Sequence, residues 1–239
     1  MIDLLGCNAV NPRTVRTQWA YSRPMTDGIS ELGILRGRGC GLAMHFHEEF
    51  QITFVLAGRR ALQLGDDVIE LTSRQCACIP AWTPHRSLEG SSDLVSVNAY
   101  LPAGHYAATA MLAEIEREWR MVEGFEWREL AALIRAHRAD ESAADRSIAV
   151  LSRGCESVSR RASRTGQSRE GFSRAFAKRY GMPPHAFEIV CRLNRARDLL
   201  RAGEAVAATA AETGFADQSH LGRWFRRAFG VTPGRYRLG

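Results

Sequence analysis

A nine-residue pattern occurs twice in the last third of the chain, and it limits the folds that this part can adopt. Counted from Ser168 or from Asp217, an apolar residue follows at the fifth and ninth positions and an arginine at the seventh. Serine and aspartate are favoured helix N-caps, and apolar residues four apart lie on one helix face. The two copies start 49 residues apart. The repeat therefore predicts a duplicated helical unit rather than two unrelated helices.

A long amphipathic segment at about 184–202 joins the two copies. A helix of this length spans about 28 Å at 1.5 Å per residue, which is close to the roughly 34 Å of one DNA turn. Shorter helices are predicted at about 146–153, 158–166, 205–213 and 218–229, and Pro233 is expected to prevent the last one from resuming. Residues 146–239 are thus predicted to form two helix-turn-helix units bridged by a long helix.

Charge is distributed unevenly along the 239 residues. Up to residue 147 there are 15 Lys or Arg and 19 Asp or Glu, a net charge of −4, and the remainder has 17 and 7, a net charge of +10. Nucleic-acid binding needs clustered cations that neutralise phosphates. The asymmetry therefore indicates a C-terminal nucleic-acid-binding module joined to a module with another role.

The segment from about residue 148 to residue 237 resembles the DNA-binding domain of AraC/XylS-type transcriptional regulators. The most diagnostic motifs are LNRARDLLRAG at 193–203 and, within 214–237, GFADQSH followed by FGVTPGRYR. The resemblance implies that two helix-turn-helix units enter successive major grooves on one face of double-stranded DNA. Arg161 and Gly171 depart from the family pattern, so we expect the first unit to be less rigid than the second.

Candidate DNA contacts follow from this resemblance, position by position. Side chains near the start of each recognition helix are expected to face base edges, since Arg can bind guanine, Gln adenine and Glu cytosine. Basic side chains further along each helix are expected to meet phosphates. The base-contact candidates are Arg169, Glu170, Ser173, Arg174, Gln218, Ser219 and Arg223, and the phosphate-contact candidates are Lys178, Arg179, Arg226 and Arg227.

The N-terminal part of the chain has a different pattern. Residues 1–28 are punctuated by Asn, Pro, Asp and Gly without a persistent period, which predicts an irregular N-terminal arm. Between 29 and 102, short runs rich in Val, Ile, Phe and Leu alternate with turn residues, which predicts a small antiparallel barrel or sandwich. The runs are 32–35, 50–57, 61–64, 68–71, 76–79 and 94–101. The predicted fold class is α+β with two domains: an N-terminal antiparallel β-barrel plus helices, and a C-terminal all-α double helix-turn-helix.

Within this barrel, the segments GRGCGLAMHFHEEFQITFVLAG and PAWTPH resemble the cupin family. In a strand, His45 and His47 would point to one face. The resemblance implies that His85 approaches them from a facing strand and that these three side chains, with Gln51, line an effector-binding pocket. Three imidazoles make a divalent transition metal a candidate cofactor. Metal-binding cupins usually have Glu at the position of Gln51, so an organic effector, or histidines that only satisfy hydrogen bonds, are the alternatives.

The six cysteines are scattered along the chain, which favours reduced thiols over disulfides. Cys76 and Cys78 share one face of a predicted strand, an arrangement that would suit a soft metal or a redox site. The alternative is that both are small buried apolar side chains.

Two amphipathic helices are predicted after the barrel, at about 103–122 and 127–138. Their apolar stripes must be buried, either against the barrel or in a dimer interface, and both alternatives stay open. The segment 139–145 is short, polar and rich in small residues, so we place the domain boundary there, after a helical pair that spans 103–140.

Together these patterns predict a one-component transcription regulator, an activator or a repressor, that binds promoter or operator DNA as a homodimer under the control of a small-molecule effector. RNA polymerase is a candidate further partner. The chain has no run of about 18 apolar residues and no signal-peptide pattern, so we expect a cytoplasmic location and no membrane partner. A metal-sensing regulator and a metal-dependent cupin enzyme are the alternatives. The missing carboxylate and the lack of a second acid–base group defined by a motif favour a protein that is not an enzyme.

Overall fold

The computed structural model describes residues 17–24, 28–39, 41–102, 104–121, 127–139 and 168–239. Antiparallel strands form two sheets in the N-terminal domain, the first in the order β1-β2-β8-β3-β6 and the second in the order β5-β4-β7. The predicted antiparallel architecture is therefore confirmed. The strands are β1 (Gln18–Ser22), β2 (Glu31–Arg36), β3 (Phe50–Ala57), β4 (Arg59–Leu64), β5 (Asp67–Thr72), β6 (Cys76–Ile79), β7 (His85–Ser87) and β8 (Val95–Leu101).

Strand β3 is buried on both faces, which explains its nearly continuous apolar sequence. Phe50, Ile52 and Phe54 belong to a core that the sheet shares with two helices. The side chains of Gln51 and Thr53 are buried on the other face and hydrogen-bonded to each other at 2.7 Å. Because side chains alternate along this strand, the polar side chains point into the barrel and the apolar side chains pack against the two helices.

The prediction of an irregular arm over residues 1–28 is wrong for residues 18–22. These residues form β1, which pairs with β2 along its whole length. The side chains of Trp19 and Tyr21 are buried, and those of Gln18, Ala20 and Ser22, which alternate with them, are exposed. A five-residue strand with only two buried side chains gives a weak periodic signal, and its stability comes from the partner strand and from the second domain.

Two helices, α1 (Ala108–Met121) and α2 (Trp127–Ala136), follow the barrel, and the short strands β9 (His105–Tyr106) and β10 (Arg138–Ala139) pair beside them. The first helix starts five residues later than predicted, and Met111 rather than Ala110 lies in its buried stripe. Met111, Ile115 and Ile134 pack in the core shared with β3. The apolar stripes are therefore buried against the barrel, which was one of the two alternatives. Of the predicted boundary at 139–145, Ala139 lies in β10 and residues 140–145 lie outside the described residues.

The C-terminal domain is helical throughout its described part. It contains α3 (Arg169–Tyr180), α4 (Pro184–Arg201), α5 (Val206–Glu212), α6 (Gln218–Phe229) and α7 (Pro233–Leu238). The expected stop at Pro233 is wrong, because this proline is the first residue of α7, capped by Thr232. Proline suits that position since its missing N–H has no helical partner there. The helices predicted at 146–153 and 158–166, and Arg161, lie outside the described residues. Within the described ranges, every helix is too short or too polar to cross a membrane.

The two domains share one hydrophobic core, in which Trp19, Tyr21 and Tyr100 of the barrel meet Phe229 and Tyr236 of the helical domain. The Tyr21 hydroxyl donates a hydrogen bond to the Phe229 carbonyl at 3.0 Å.

Gly230 is required at this junction. Its φ is 77°, and an added Cβ would lie 2.1 Å from the Trp19 ring. A side chain at this position would therefore have to push the domains apart.

Candidate nucleic-acid interface and effector pocket

The second recognition helix, α6, is held at both ends by its own sequence. Asp217 caps its start, and the carboxylate accepts a hydrogen bond from the His220 backbone N–H at 2.7 Å. Gly230 ends the helix in the left-handed conformation. Leu221 and Phe225 are fully buried in the domain core. Capping and packing therefore fix the orientation of the remaining helix face.

That remaining face carries the predicted DNA contacts. Gln218, Ser219, Arg223, Arg226 and Arg227 are all exposed. Positions 219, 223 and 226 are four and three residues apart, so they share one side of the helix. The structure thus brings the second set of candidates together on one basic surface, while the division between base and phosphate contacts stays a prediction.

The first recognition helix, α3, has the same local design. Ser168 Oγ accepts a hydrogen bond from the Gly171 N–H at 3.1 Å, and Gly181 ends the helix with a φ of 68°. Phe176, the ninth position of the repeat, is buried, and Phe172, the fifth, is half-buried. Among the predicted contacts on this helix, Ser173 is half-buried and the exposed side chains are those of Arg169, Glu170, Arg174, Lys178 and Arg179.

The exposed face of α6 lies next to the loop of the barrel domain that contains Gly41 and Leu42. Ser219, Arg223 and Arg226 line a groove of about 740 Å³ whose other wall includes Gly41 and Leu42. These two residues belong to the loop that leads into His45. The basic surface and the loop therefore share one groove.

Ala43 connects the recognition helix to the histidines. Its N–H donates to the Arg227 carbonyl at 2.8 Å, and its own carbonyl accepts from His45 Nδ1 at 2.9 Å. The His45 ring also meets the Phe229 ring edge-on, with centroids 5.6 Å apart. One short loop thus contacts both the last turn of α6 and the predicted pocket.

The three histidines converge as expected. The ring centroid of His85 lies 4.5 Å from that of His45 and 4.9 Å from that of His47. All three residues are buried. His85 lies in β7 and forms an isolated antiparallel bridge with His45. The expectation that His45 and His47 lie in a strand is wrong, because they precede β3 in an extended loop, yet the bridge still directs the side chains together.

Burial keeps these imidazoles neutral. It lowers the pKa of His45 to about 3 and that of His47 to about 4, and it lowers the pKa of His85 well below its ordinary value. Each Nδ1 lies 2.8–2.9 Å from a backbone carbonyl oxygen, so in His45 and His85 the Nδ1 atom carries the hydrogen and donates. His47 Nε2 lies 2.9 Å from Gln51 Oε1, and Gln51 Nε2 donates to Thr53 Oγ1 at 2.7 Å.

This arrangement does not fit a metal ion. In the described ranges no three His, Cys, Asp or Glu side chains are placed to hold one. His47 Nε2 is already engaged by Gln51. The positive charges of Arg197 and Arg60 also act on His45 and add to the lowering of its pKa by burial. The candidate metal therefore has no support in the geometry of the described residues.

Known proteins match each half of the chain. A cupin domain model matches residues 34–96, and a helix-turn-helix domain model matches residues 161–239. The HTH-type transcriptional regulator MtrA of Neisseria gonorrhoeae is 37% identical over 71 residues, which make up 29% of this chain and 24% of that protein. The chain thus matches about a quarter of the length of this relative.

Solved structures of ToxT from Vibrio cholerae share the fold across both domains. ToxT with a bound unsaturated fatty acid has a TM-score of 0.56 at 12% identity, covering 94% of this chain and 97% of that one. ToxT from strain O395 has a TM-score of 0.53 at 12% identity, covering 93% and 97%. Residues 161–239 of this chain thus match a helix-turn-helix domain, and residues 34–96 match a cupin domain. Helices α3 and α6 lie in the first of these segments, and the three histidines lie in the second.

The two cysteines of β6 lie in a largely apolar environment. Cys76 is buried in the core beneath α1, and Cys78 is half-buried. Burial raises the pKa of both thiols to about 12. Thiols with such pKa values carry almost no thiolate at neutral pH, which favours the interpretation of two buried apolar side chains.

A buried ion cluster, which the sequence patterns did not predict, joins the two domains. Arg197 Nη2 lies 2.9 Å from Glu31 Oε2, and Nη1 lies 3.2 Å from Glu49 Oε2. Arg201 contacts both carboxylates, at 3.1 and 2.5 Å. Burial alone would raise the pKa of each carboxyl, but the two guanidiniums outweigh it and lower both pKa values. The available signal was Arg197 itself, which lies four residues after Leu193 and therefore within the apolar stripe of α4.

Proposed function

We propose that this protein is an AraC-type transcription regulator, which binds specific promoter or operator sequences through α3 and α6 and thereby activates or represses transcription. The observation that carries the proposal is the pair of capped helices with exposed basic faces, joined by α4. The 18 residues of α4 span about 27 Å at 1.5 Å per residue. That length is close to one DNA turn of roughly 34 Å, as two helices in successive major grooves require.

Base recognition is assigned to Arg169, Glu170, Ser173 and Arg174 on α3 and to Gln218, Ser219 and Arg223 on α6. Phosphate binding is assigned to Lys178 and Arg179 on α3 and to Arg226 and Arg227 on α6. The support for this division is exposure and helical position. Arg174 and Arg223 occupy equivalent positions of the repeat.

The test uses DNA fragments selected by the protein from genomic DNA, with scrambled fragments of the same composition for comparison. An Arg174→Ala/Arg223→Ala variant should lose most of the preference for selected DNA, because each bidentate base contact contributes about 1–3 kcal/mol of discrimination. An Arg226→Ala/Arg227→Ala variant should weaken binding to both fragments and lower the salt slope by about 0.9 per lost phosphate contact.

The matched control is Arg59→Ala/Arg86→Ala, which removes the same charge from exposed positions on the barrel. This variant should bind selected DNA like the unmodified protein. Equal preference for selected DNA in the Arg174→Ala/Arg223→Ala variant and in the control would contradict the assignment.

We further propose that a small-molecule effector in the cupin pocket, lined by His45, His47, Gln51 and His85, controls DNA binding. The support is the loop 41–45, which bonds to α6 through Ala43 and to the pocket through His45. A ligand that moved His45 would also act on the last turn of α6 and on the groove beside it. ToxT binds an unsaturated fatty acid in one structure and (E)-4-(8-methylnaphthalen-1-yl)but-3-enoic acid in another. Control follows if the effector favours one of two domain arrangements.

Homodimer formation through the outer faces of α1 and α2 is part of the proposal, because their inner faces are buried on the barrel. Two copies would double the DNA contacts on a two-fold site. Activation would also require contact with RNA polymerase, whereas repression would not. A regulator of this kind acts in the cytoplasm, where it reaches DNA.

A further inference from the structure

Arg60 is a buried cation without a carboxylate partner. It lies on β4 with 2% of its surface exposed. Its Nη1 donates to Ser96 Oγ at 2.7 Å and to Asn98 Oδ1 at 2.8 Å. No ion pair in the described part of the chain includes it, and Nε has no hydrogen-bond partner there. The guanidinium edge formed by Nε and Nη2 is therefore unused.

Arg197 is a buried arginine whose positive charge, unlike that of Arg60, is balanced by carboxylates. It is equally buried, yet two carboxylates and a tyrosine hydroxyl surround it. Burial opposes charge on both arginines, but only Arg197 has acids that reverse the effect and raise its pKa. The pKa of Arg60 is lowered to about 10 by burial. Arg60 thus stays charged at neutral pH while its charge has no counter-ion.

A hydrogen-bond chain connects Arg60 to the histidine pocket. Asn98 Oδ1, which accepts from Arg60, also accepts from the Thr53 hydroxyl at 3.1 Å. Thr53 Oγ1 lies 2.7 Å from the Gln51 amide, which in turn contacts His47. The charge of Arg60 also lowers the pKa of His45 and His85, after burial and the neighbouring histidines. Arg60 and the neutral imidazoles therefore belong to one site.

A second buried donor beside Arg60 also lacks a partner. Trp19 Nε1 has no hydrogen bond in the described structure. The Arg60 guanidinium lies over the face of the Trp19 ring, 5.4 Å from its centre, in a cation–π contact. Arg60 Nε and Trp19 Nε1 are thus two neighbouring buried donors without an acceptor in the described structure.

We propose that the cupin pocket binds the carboxylate of a small organic acid through the free edge of Arg60. The proposal rests on the proposed function and names the chemical class of its effector. A guanidinium edge and a carboxylate make two parallel hydrogen bonds. One carboxylate also neutralises one guanidinium, whereas a dianionic phosphate would leave a net negative charge in the barrel. A divalent metal would add to the positive charge rather than balance it.

The test compares carboxylates with their uncharged amides on the full-length protein. Butyrate, hexanoate and benzoate are titrated beside butyramide, hexanamide and benzamide, while thermal unfolding and calorimetric binding are recorded. At least one carboxylate should raise the melting temperature in a concentration-dependent way, and its amide should not. Inorganic phosphate and zinc chloride are titrated in parallel.

Arg60→Met is the decisive variant, and Arg59→Met, one residue earlier and exposed, is its matched control. The methionine leaves no orphaned partner, because Ser96 Oγ donates to the Phe54 carbonyl and Asn98 Oδ1 still accepts from Thr53. Carboxylate affinity should fall about 10- to 100-fold in Arg60→Met, which is the loss expected when a charge-assisted hydrogen bond is removed. Carboxylate affinity should stay unchanged in Arg59→Met.

Ligand-free stability provides a second readout that does not depend on the chosen acids. Without ligand, Arg60→Met should melt at or above the temperature of the unmodified protein, because it removes an uncompensated buried charge. A large fall in melting temperature would show that Arg60 is structural and would overturn the proposal. It would also be overturned if no carboxylate were preferred over its amide, or if phosphate or zinc stabilised the protein instead. DNA binding by the same preparations is measured separately, so that failure here leaves the proposed function intact.

Discussion

Replacing Arg197 by methionine should destabilise the protein far more than replacing a neighbouring arginine. The substitution leaves the buried carboxylate of Glu49 with Arg201, and that of Glu31 with Arg201 and the more distant Arg23 at 3.7 Å. Removing one partner of a buried ion pair costs about 3–5 kcal/mol. In a chain of this size each kcal/mol lowers the melting temperature by about 2–4 °C, so the expected decrease is about 6–20 °C.

The matched control is Arg195→Met on the same helix. Arg195 pairs with Glu212 at 2.6 Å, but their side chains are 61% and 48% exposed. An ion pair at the surface contributes about 0–1 kcal/mol, so the control should lose at most about 4 °C.

Both variants are compared by thermal unfolding at neutral pH, and limited proteolysis reports whether the domains have separated. Because the ion cluster joins the barrel to α4, Arg197→Met should also expose new cleavage sites at the junction. If the melting temperatures of Arg197→Met and Arg195→Met differed by less than about 2 °C, the buried cluster would contribute no more to the free energy of unfolding than a surface ion pair. That result would refute the reasoning.

Three further outcomes are expected from particular residues. His45 and His47 have pKa values of about 3 and about 4 in the folded protein and of about 6.5 in the unfolded chain. Their contribution to the free energy of unfolding is therefore complete above pH 6.5 and falls below it, by about 1.4 kcal/mol per histidine and pH unit. Urea midpoints at pH 7.5, 6.5 and 5.5 should show this fall, and a His45→Gln/His47→Gln variant should show a shallower one. Asp217→Ala should cost about 1 kcal/mol by removing the α6 cap while Asp217→Ser costs little, and equal urea midpoints for the two would contradict the capping role. Gly222 lies in open space within α6, so Gly222→Ala should stabilise the protein by up to about 1 kcal/mol. Gly230→Ala should lower the melting temperature, because the new Cβ would meet the Trp19 ring. A change in the same direction in both variants would refute the close approach of Gly230 to Trp19.

The helices of the C-terminal domain were predictable because their signals are local. The α6 boundaries at Gln218 and Phe229 agree with the prediction, and Asp217 and Gly230 act as its caps. A cap, an apolar period and a left-handed glycine are all contained within the residues that form the helix. The misjudged Pro233 shows the limit of such rules, since proline both ends helices and starts them.

Non-local features were harder to predict. Strand β1 has only two buried side chains, and their burial depends on β2 and on the helical domain. The convergence of the histidines was predicted from a family resemblance, but the tautomers of His45 and His85 follow only from the backbone carbonyls that surround them.

The sequence by itself determined the antiparallel N-terminal domain, the helical C-terminal domain and the two capped helices α3 and α6, because each rests on spacing within a short segment. The tertiary structure decided how the domains meet. It paired Glu31 and Glu49 with Arg197 and left Arg60 without a carboxylate partner in the described residues, although the two arginines look alike in the sequence. Whether a buried charge is balanced depends on residues more than a hundred positions away, and only the folded chain brings them within reach.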